Sequence, residues 1–256
     1  MTGENKLKHQ RINEIEQYIR LNKHVSLNEL CDKFEVSMNT IRRDVNEIVK
    51  NEAYKKVYGG VEFTGDYLLP FEDRNERASL EKEKIASRAA NQINSGDVIF
   101  IDSGTTTQYI PDFLPLEIEL TVLTNSLNII NKICRFPNVR LIIIGELYKR
   151  KTNSFVGIKN DSLVNKYNVH KAFMAATAAS IEAGLTNSDN QEYYIKNLFV
   201  KKASVSYALL DYEKFGSAAL VTYAQLNEID VIITNKQLPN SYQSYMEENE
   251  ITVLLP

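Results

Sequence analysis

VIFIDSGTTTQYI (residues 98–110) carries an uninterrupted apolar run into a short loop that holds one glycine and several hydroxyls. A strand buried on both faces reads as such a run rather than as an apolar-polar alternation, and strands of that kind make up parallel sheets. Six further runs of the same type follow: LTVLTN (120–125), RLIIIG (140–145), KAFMAAT (171–177), SYALLD (206–211), DVIITN (230–235) and ITVLL (251–255). Stretches with helical spacing separate several of them, including TTQYIPDFL, SLNIINKIC and NQEYYIKNLFVKKA. Apolar strands alternating with helices imply an α/β domain with a mainly parallel sheet.

The loop itself is material for an anion site. Backbone N–H groups at the start of a helix attract phosphate, and Gly104 would let a ligand approach the backbone closely. Ser103, Thr105, Thr106 and Thr107 add hydroxyl donors. Asp102 ends the strand, where open α/β sheets place ligand-binding side chains. A carboxylate repels phosphate, so Asp102 is expected to meet a sugar hydroxyl or to cap the helix. The loop has neither the Gly-Lys-Ser/Thr of a nucleotide-binding loop nor GxGxxG, so ATP, NAD and other cofactors are not expected.

Other strand ends repeat the logic. Thr124, Asn125 and Ser126 precede a helix, and Asp211 and Lys214 follow a strand, where Lys214 would neutralise phosphate. Asn187 and Glu192 flank a helix start, and Arg150 in the basic YKRK (148–151) could meet an anion. The plainer alternative is that the hydroxyls only cap helices and the cations only face water.

The first 60 residues have a different rhythm. Ile12, Ile15 and Ile19 recur at helical spacing, and Ser26 with Glu29 forms a capping box that starts a second helix. After a three-residue turn, Glu35-Val36-Ser37, comes MNTIRRDVNEIVKN, with Ser37 as its cap. At 100° per residue, Ile41, Val45, Ile48 and Val49 share one face. Asn39, Arg42, Arg43, Asn46 and Lys50 take the opposite one, with Asp44 and Glu47 on a flank. Arg and Asn match guanine and adenine edges in the major groove, so this is a helix-turn-helix with a DNA-reading face. AYKKVYGGVEF then reads as a hairpin, in which Lys55 and Lys56 could reach phosphates.

VSLNELCDKFEVSMNTIRRDVNEI followed by KVYGGV resembles the DNA-binding domain of the DeoR family of bacterial transcriptional regulators. Ser37, Thr40, Ile41, Arg42, Arg43 and Asp44 match its Ser-x-x-Thr-hydrophobic-Arg-Arg-Asp core. Lys56, Val57, Tyr58, Gly59 and Gly60 stand where it has Arg-Val-His-Gly-Gly, and Tyr58 joins the residues assigned to DNA. The later segments resemble that family's effector domain, which is similar in fold to ribose-5-phosphate isomerase and typically binds phosphorylated sugars. The resemblance implies that Gly104 to Thr107 take the phosphate, with Asp102, Asn125, Glu192 and Lys214 lining the sugar pocket. Gly145-Glu146 departs from the family's frequent Gly-Gly. The tract DSGTTT…LTNSLNII…YKRKTNSFVG is similar to the myo-inositol-catabolism repressor branch.

Bulk properties bound these expectations. The 256 residues are 43% hydrophobic and 25% charged, ordinary for a globular chain with a sizeable core. Residues 1–60 hold 11 Lys+Arg against 9 Asp+Glu, a net of +2; the rest hold 19 against 24, a net of −5. Neither value points to a partner, so charge placement has to. Two cysteines without metal-ligand spacing, and a polar N-terminus without a secretion signal, fit a cytoplasmic protein with no bound metal and no membrane span. The expected organisation is a winged helix-turn-helix domain over 1–62, a linker over 63–80, and an α/β effector domain over 81–256. Double-stranded operator DNA and a phosphorylated sugar are the expected partners, and a homo-oligomer, dimer or tetramer, is needed to read two half-sites. A repressor of a carbohydrate-catabolic operon is the leading expectation, with an activator or a phosphosugar isomerase bearing an added DNA-binding domain as the alternatives.

Overall fold

The computed structural model describes residues 3–22, 24–51, 53–63, 79–158 and 162–256. The chain divides into two compact units, Met1–Tyr67 and Leu68–Pro256. Most of the expected linker, residues 64–78, lies outside the described residues.

The first unit runs α1 (Gly3–Asn22), β1 (His24–Ser26), α2 (Leu27–Phe34), α3 (Met38–Ile48), β2 (Tyr54–Val57) and β3 (Gly60–Phe63). Ser26 Oγ accepts the Glu29 N–H at 3.1 Å and starts α2. The Glu29 carboxylate accepts from the Tyr18 hydroxyl at 2.9 Å, so the second half of the capping box is spent on tying α2 to α1. Glu35, at φ 52°, ends α2 in the left-handed region, and Ser37 caps α3 through the Thr40 N–H. Ile15, Ile19, Val25, Leu30, Ile41, Val45, Ile48 and Val61 form the core. The sequence reading has no β1, which pairs antiparallel with β3 to give the sheet order β1–β3–β2. That strand explains the second glycine of the pair: a Cβ on Gly60 would sit 2.5 Å from the Val25 carbonyl oxygen, whereas Gly59 turns the hairpin at φ +74°.

The second unit contains α4 (Ser79–Ala90), β4 (Val98–Ile101), a 3-10 helix (Thr107–Phe113), β5 (Leu120–Thr124), α5 (Leu127–Ile133), β6 (Val139–Ile143) and the hairpin β7 (Leu147–Lys149)–β8 (Ser154–Val156). It continues with β9 (Lys171–Ala175), β10 (Ala178–Ser180), β11 (Gly184–Asn187), α6 (Tyr193–Lys202), β12 (Val205–Leu209), β13 (Val221–Ala224), β14 (Val231–Ile233), α7 (Asn240–Glu248) and β15 (Thr252–Leu254). All seven runs marked in the sequence are strands of one parallel sheet, in the order β15–β14–β12–β9–β4–β5–β6. Ile99, Ile101, Phe173 and Leu209 face a layer with Ile85 and Ala89 of α4. Phe100, Met174 and Ala208 face the layer of Ile195 and Phe199 on α6, where the Phe100 and Phe199 rings stack at 3.6 Å. Burial on both faces is what makes the runs of the five inner strands continuous, while the edge strands β6 and β15 keep exposed residues such as Ile143 and Thr252. A small antiparallel sheet, β10–β11–β13, is an addition the sequence reading lacks.

The strand order points to a candidate site. From β4 the chain steps one way through β5 and β6, then returns to β9 on the other flank of β4 and proceeds outward. Ligands of open α/β sheets bind where that reversal occurs, at the carboxyl ends of the two central strands. Here those ends are Asp102–Thr105 after β4 and Ala176–Thr177 after β9.

Candidate functional site

In the first unit Asn39, Arg42, Arg43, Asn46 and Lys50 on α3 are exposed, as are Ser37, Lys55 and Lys56. Tyr58 stands fully in solvent at the hairpin turn. Thr40 is half-buried, and its hydroxyl meets the Ser37 Oγ at 2.9 Å, so both residues serve the cap. Lys56 donates to the Asn46 side-chain oxygen, and Lys50 pairs with Glu47 at 2.7 Å. One flank assignment changes: Asp44 is buried, and Arg11 of α1 donates to both of its oxygens, at 2.7 and 3.2 Å. This hydrogen bond raises the Arg11 pKa above its ordinary value. A helical wheel counts any charged residue as outward and cannot see a partner 33 positions away.

In the second unit a cavity of about 20 Å³ opens at the strand-order reversal, lined by Ser103, Gly104, Thr105, Thr152, Ala175, Ala176, Thr177, Asn187, Glu192, Lys196 and Lys214. That is room for about one water. An open groove of about 460 Å³ at the amino ends of β4–β6 is larger, and its polar side chains, Glu119, Thr121, Asn138 and Arg140, are exposed or half-exposed rather than buried.

The hydroxyl loop divides into residues that line the cavity and residues that build it. Ser103 lines it: its N–H donates to Asn125 Oδ1 at 3.1 Å, and its Oγ lies 3.4 Å from the Glu192 carboxylate. Gly104 is required by the β9 strand end, since a Cβ there would lie 2.3 Å from the Ala175 Cβ. Gly104→Ala should therefore destabilise by about 1–2 kcal/mol through overpacking, measured by urea unfolding; an unchanged midpoint would show that the loop yields. Thr106 and Thr107, expected to donate to phosphate, do not line the cavity. Thr107 Oγ1 donates to the Asp102 carbonyl at 2.7 Å, and Thr106 Oγ1 is buried with no hydrogen-bond partner among the described residues. The loop leads into a seven-residue 3-10 helix containing Pro111, not an α-helix, so the donors available to an anion are side chains more than a helix terminus.

Thr124 and Ser126 also stay within the framework. Thr124 Oγ1 donates to the Ile101 carbonyl at 2.6 Å, and Ser126 caps α5. Asn125 ties Ser103 to the Phe155 carbonyl. Arg150 is exposed on the β7–β8 turn and does not reach the cavity; its neighbour Lys149 pairs with Asp189, and Thr152 supplies the lining. Asp211 sits 3.6 Å from Lys214, which does line the cavity. The buried Glu192 accepts from Ser103, from Ser154 at 3.2 Å and from Asn187.

Sequence reasoning missed Thr152 and Thr177, which line the cavity, and, with more consequence, Lys196. Fully buried on α6, it donates to Asp102 Oδ2 and to the Ala175 carbonyl at 2.9 Å, with its ammonium 5.2 Å from the Tyr223 ring centroid. Asp102 is thereby the counter-ion of Lys196, neither a helix cap nor a cavity-lining residue. Its Oδ2 also accepts the Ala175 N–H at 3.0 Å, while Oδ1 has no hydrogen-bond partner among the described residues. Burial pushes the Asp102 carboxyl up, against the pull of Lys196. The signal was present: Lys196 occupies the apolar stripe with Ile195, Phe199 and Val200, and a lysine there needs a buried partner.

Residues 11–65 match the DeoR-like helix-turn-helix domain, and residues 77–236 match the DeoR C terminal sensor domain. The HTH-type transcriptional regulator IolR of Bacillus subtilis is 46% identical over 97% of this chain and 100% of its own length. The glycerol-3-phosphate regulon repressor of Escherichia coli is 26% identical over 96% of this chain and 98% of its own. Among solved structures, ribose 5-phosphate isomerase A of Methanocaldococcus jannaschii is 17% identical and covers 54% of each chain at a TM-score of 0.40. No helix among the described residues is long and apolar enough to cross a membrane. With both domain models matched in order along a helix-turn-helix unit and a doubly wound sensor unit, the chain belongs to the DeoR family of helix-turn-helix transcriptional regulators.

Proposed function

We propose that this regulator is a cytoplasmic repressor of a carbohydrate-catabolic operon that releases its operator when a phosphorylated sugar occupies the cavity at the strand-order reversal. The observation that carries the reading is the pairing of chemistries in that cavity. Thr105 supplies a hydroxyl and Lys214 a cation, as a phosphate requires, and on widening Ser103 and Thr177 turn toward it hydroxyls that otherwise donate to Glu192 and Asn187. Glu192 and Asn187 supply acceptors for sugar hydroxyls. With about 20 Å³ of space, the cavity must widen to admit such a ligand. A ligand that selects a widened state has the differential affinity that regulation needs. Two copies reading two half-sites make a homo-oligomer part of the proposal. Regulation is favoured over catalysis because the N-terminal helix-turn-helix match and the relatives that span the chain are those of transcriptional regulators.

Thermal unfolding against a panel of phosphorylated sugars, sugar acids and their unphosphorylated parents tests this, starting from intermediates of myo-inositol breakdown. A ligand at 100-fold its Kd should stabilise the sensor unit by about 2.7 kcal/mol. The shift should vanish for the parent compound and fall sharply in Lys214→Met. A stabilising ligand without phosphate would overturn the assignment, and turnover of a ketose or aldose phosphate would replace regulation by catalysis. Reporter expression after gene deletion gives the sign: a rise marks a repressor, a fall an activator.

A further inference from the structure

We infer that Arg11 is a positioning residue for DNA reading: through its two-pronged hydrogen bond to Asp44 it fixes the roll of α3, and so the direction in which Arg42, Arg43 and Asn46 leave the protein. The inference rests on the reading of α3 as the helix that meets base edges.

Apolar packing alone does not set that roll. Ile41, Val45 and Ile48 bury against Ile15 and Ile19. Contacts of this kind are non-directional, so they set the depth of α3 while resisting a small rotation only weakly. The Arg11–Asp44 contact is directional. Nε donates to Oδ2 at 2.7 Å and Nη2 to Oδ1 at 3.2 Å, so two bonds within two rigid planes fix an angle as well as a distance. Asp44 is 1% exposed, which removes water as a competing partner, and Arg11 keeps about a quarter of its side chain in solvent. Asp44 directly follows Arg43 in sequence, and one residue of helix is 100° of rotation. Holding its carboxylate therefore holds the exposed side chains beside it. A lysine at position 11 would keep the charge and lose the two-bond geometry.

The test uses the full chain and begins by selecting, from a random duplex library, the sequence that the wild type prefers. Affinities for that duplex and for random-sequence duplex are then measured across a salt series for Arg11→Lys, Asp44→Asn and the double variant Arg11→Met/Asp44→Leu, with unfolding midpoints recorded in parallel. Arg11→Lys and Asp44→Asn should each lower the preference for selected over random duplex at least tenfold while affinity for random duplex holds. In the double variant two apolar side chains replace the buried pair, so the unfolding midpoint should return toward wild type. The preference should stay low, because apolar contact restores stability without restoring the angle. Three results would overturn the inference. A double variant that regains preference together with stability would make the pair a matter of burial alone. A double variant whose random-duplex salt slope falls by about 0.9 would mean that Arg11 itself neutralises a phosphate. A wild type that selects no sequence removes the role of α3, and this inference with it.

Discussion

Lys196→Met should lower the unfolding free energy of the sensor unit by about 3–5 kcal/mol, the loss typical of leaving one member of a buried ion pair alone. Methionine keeps most of the volume of the stem and its contacts beside Ile195 and Phe199, so the loss reports the ammonium. Without it, Asp102 retains, among the described residues, only the Ala175 N–H as a donor to Oδ2 and none to Oδ1. The Ala175 carbonyl fares better, since the Tyr223 hydroxyl still donates to it at 2.9 Å. Adding Asp102→Asn to Lys196→Met should recover part of the loss by removing the uncompensated charge.

The pH dependence follows from the direction of the Asp102 shift. Burial already raises this carboxyl, and the variant raises it further because the opposing Lys196 is gone. A carboxyl raised in the folded state contributes stability below its unfolded pKa and loses it as pH rises through the folded value. The deficit of Lys196→Met should therefore be small near pH 4 and grow toward pH 7.5, roughly the span between a model carboxyl and neutrality. Urea midpoints across that range decide it. A deficit independent of pH would mean that Asp102 keeps one protonation state throughout, and that the lost hydrogen bond to Ala175 accounts for the change.

Lys196 also shows where the sequence stops being legible. The five inner sheet strands could be read because burial on both faces leaves a continuous apolar run, which is a local signal, and the edge strands β6 and β15 because their runs are apolar although partly exposed. Their order could not, because nothing in KAFMAAT says that it lies beside VIFID; that adjacency creates the site. The loop DSGTTT was legible as polar material at a strand end. Which of its hydroxyls face the cavity depends on a turn that points Thr107 back at Asp102, and that turn depends on the Ala175 Cβ lying against Gly104. In the first unit the exposed face of α3 followed from periodicity, since Ile41, Val45 and Ile48 mark its inner side. Asp44 was misplaced because its reason for burial, Arg11, lies on another helix. Strands β10, β11 and β13 went unread: AAS, GLTN and VTYA are short and mix small, polar and apolar residues, so they carry no period.

Arg43→Ala should weaken binding to the preferred duplex by about 1–3 kcal/mol, up to roughly a hundredfold, the range for one good base contact. Binding to random duplex should change far less. Arg43 is exposed on α3 and lies directly before the buried Asp44, so truncation removes a guanidinium without opening the core. That separates it from Lys196, where fold and function fail together. Two controls sharpen the reading. Lys55→Ala, on the exposed face of β2, removes a cation suited to phosphate, so it should weaken both duplexes alike and reduce the salt slope by about 0.9. Arg43→Lys keeps the charge and loses the paired donors that match guanine, so it should behave like Arg43→Ala on the preferred duplex and like wild type on the random one. If Arg43→Ala instead weakens both duplexes equally and lowers the slope, Arg43 lies along the phosphate backbone. The base-reading role would then pass to Arg42 and Asn46, which share its exposed face.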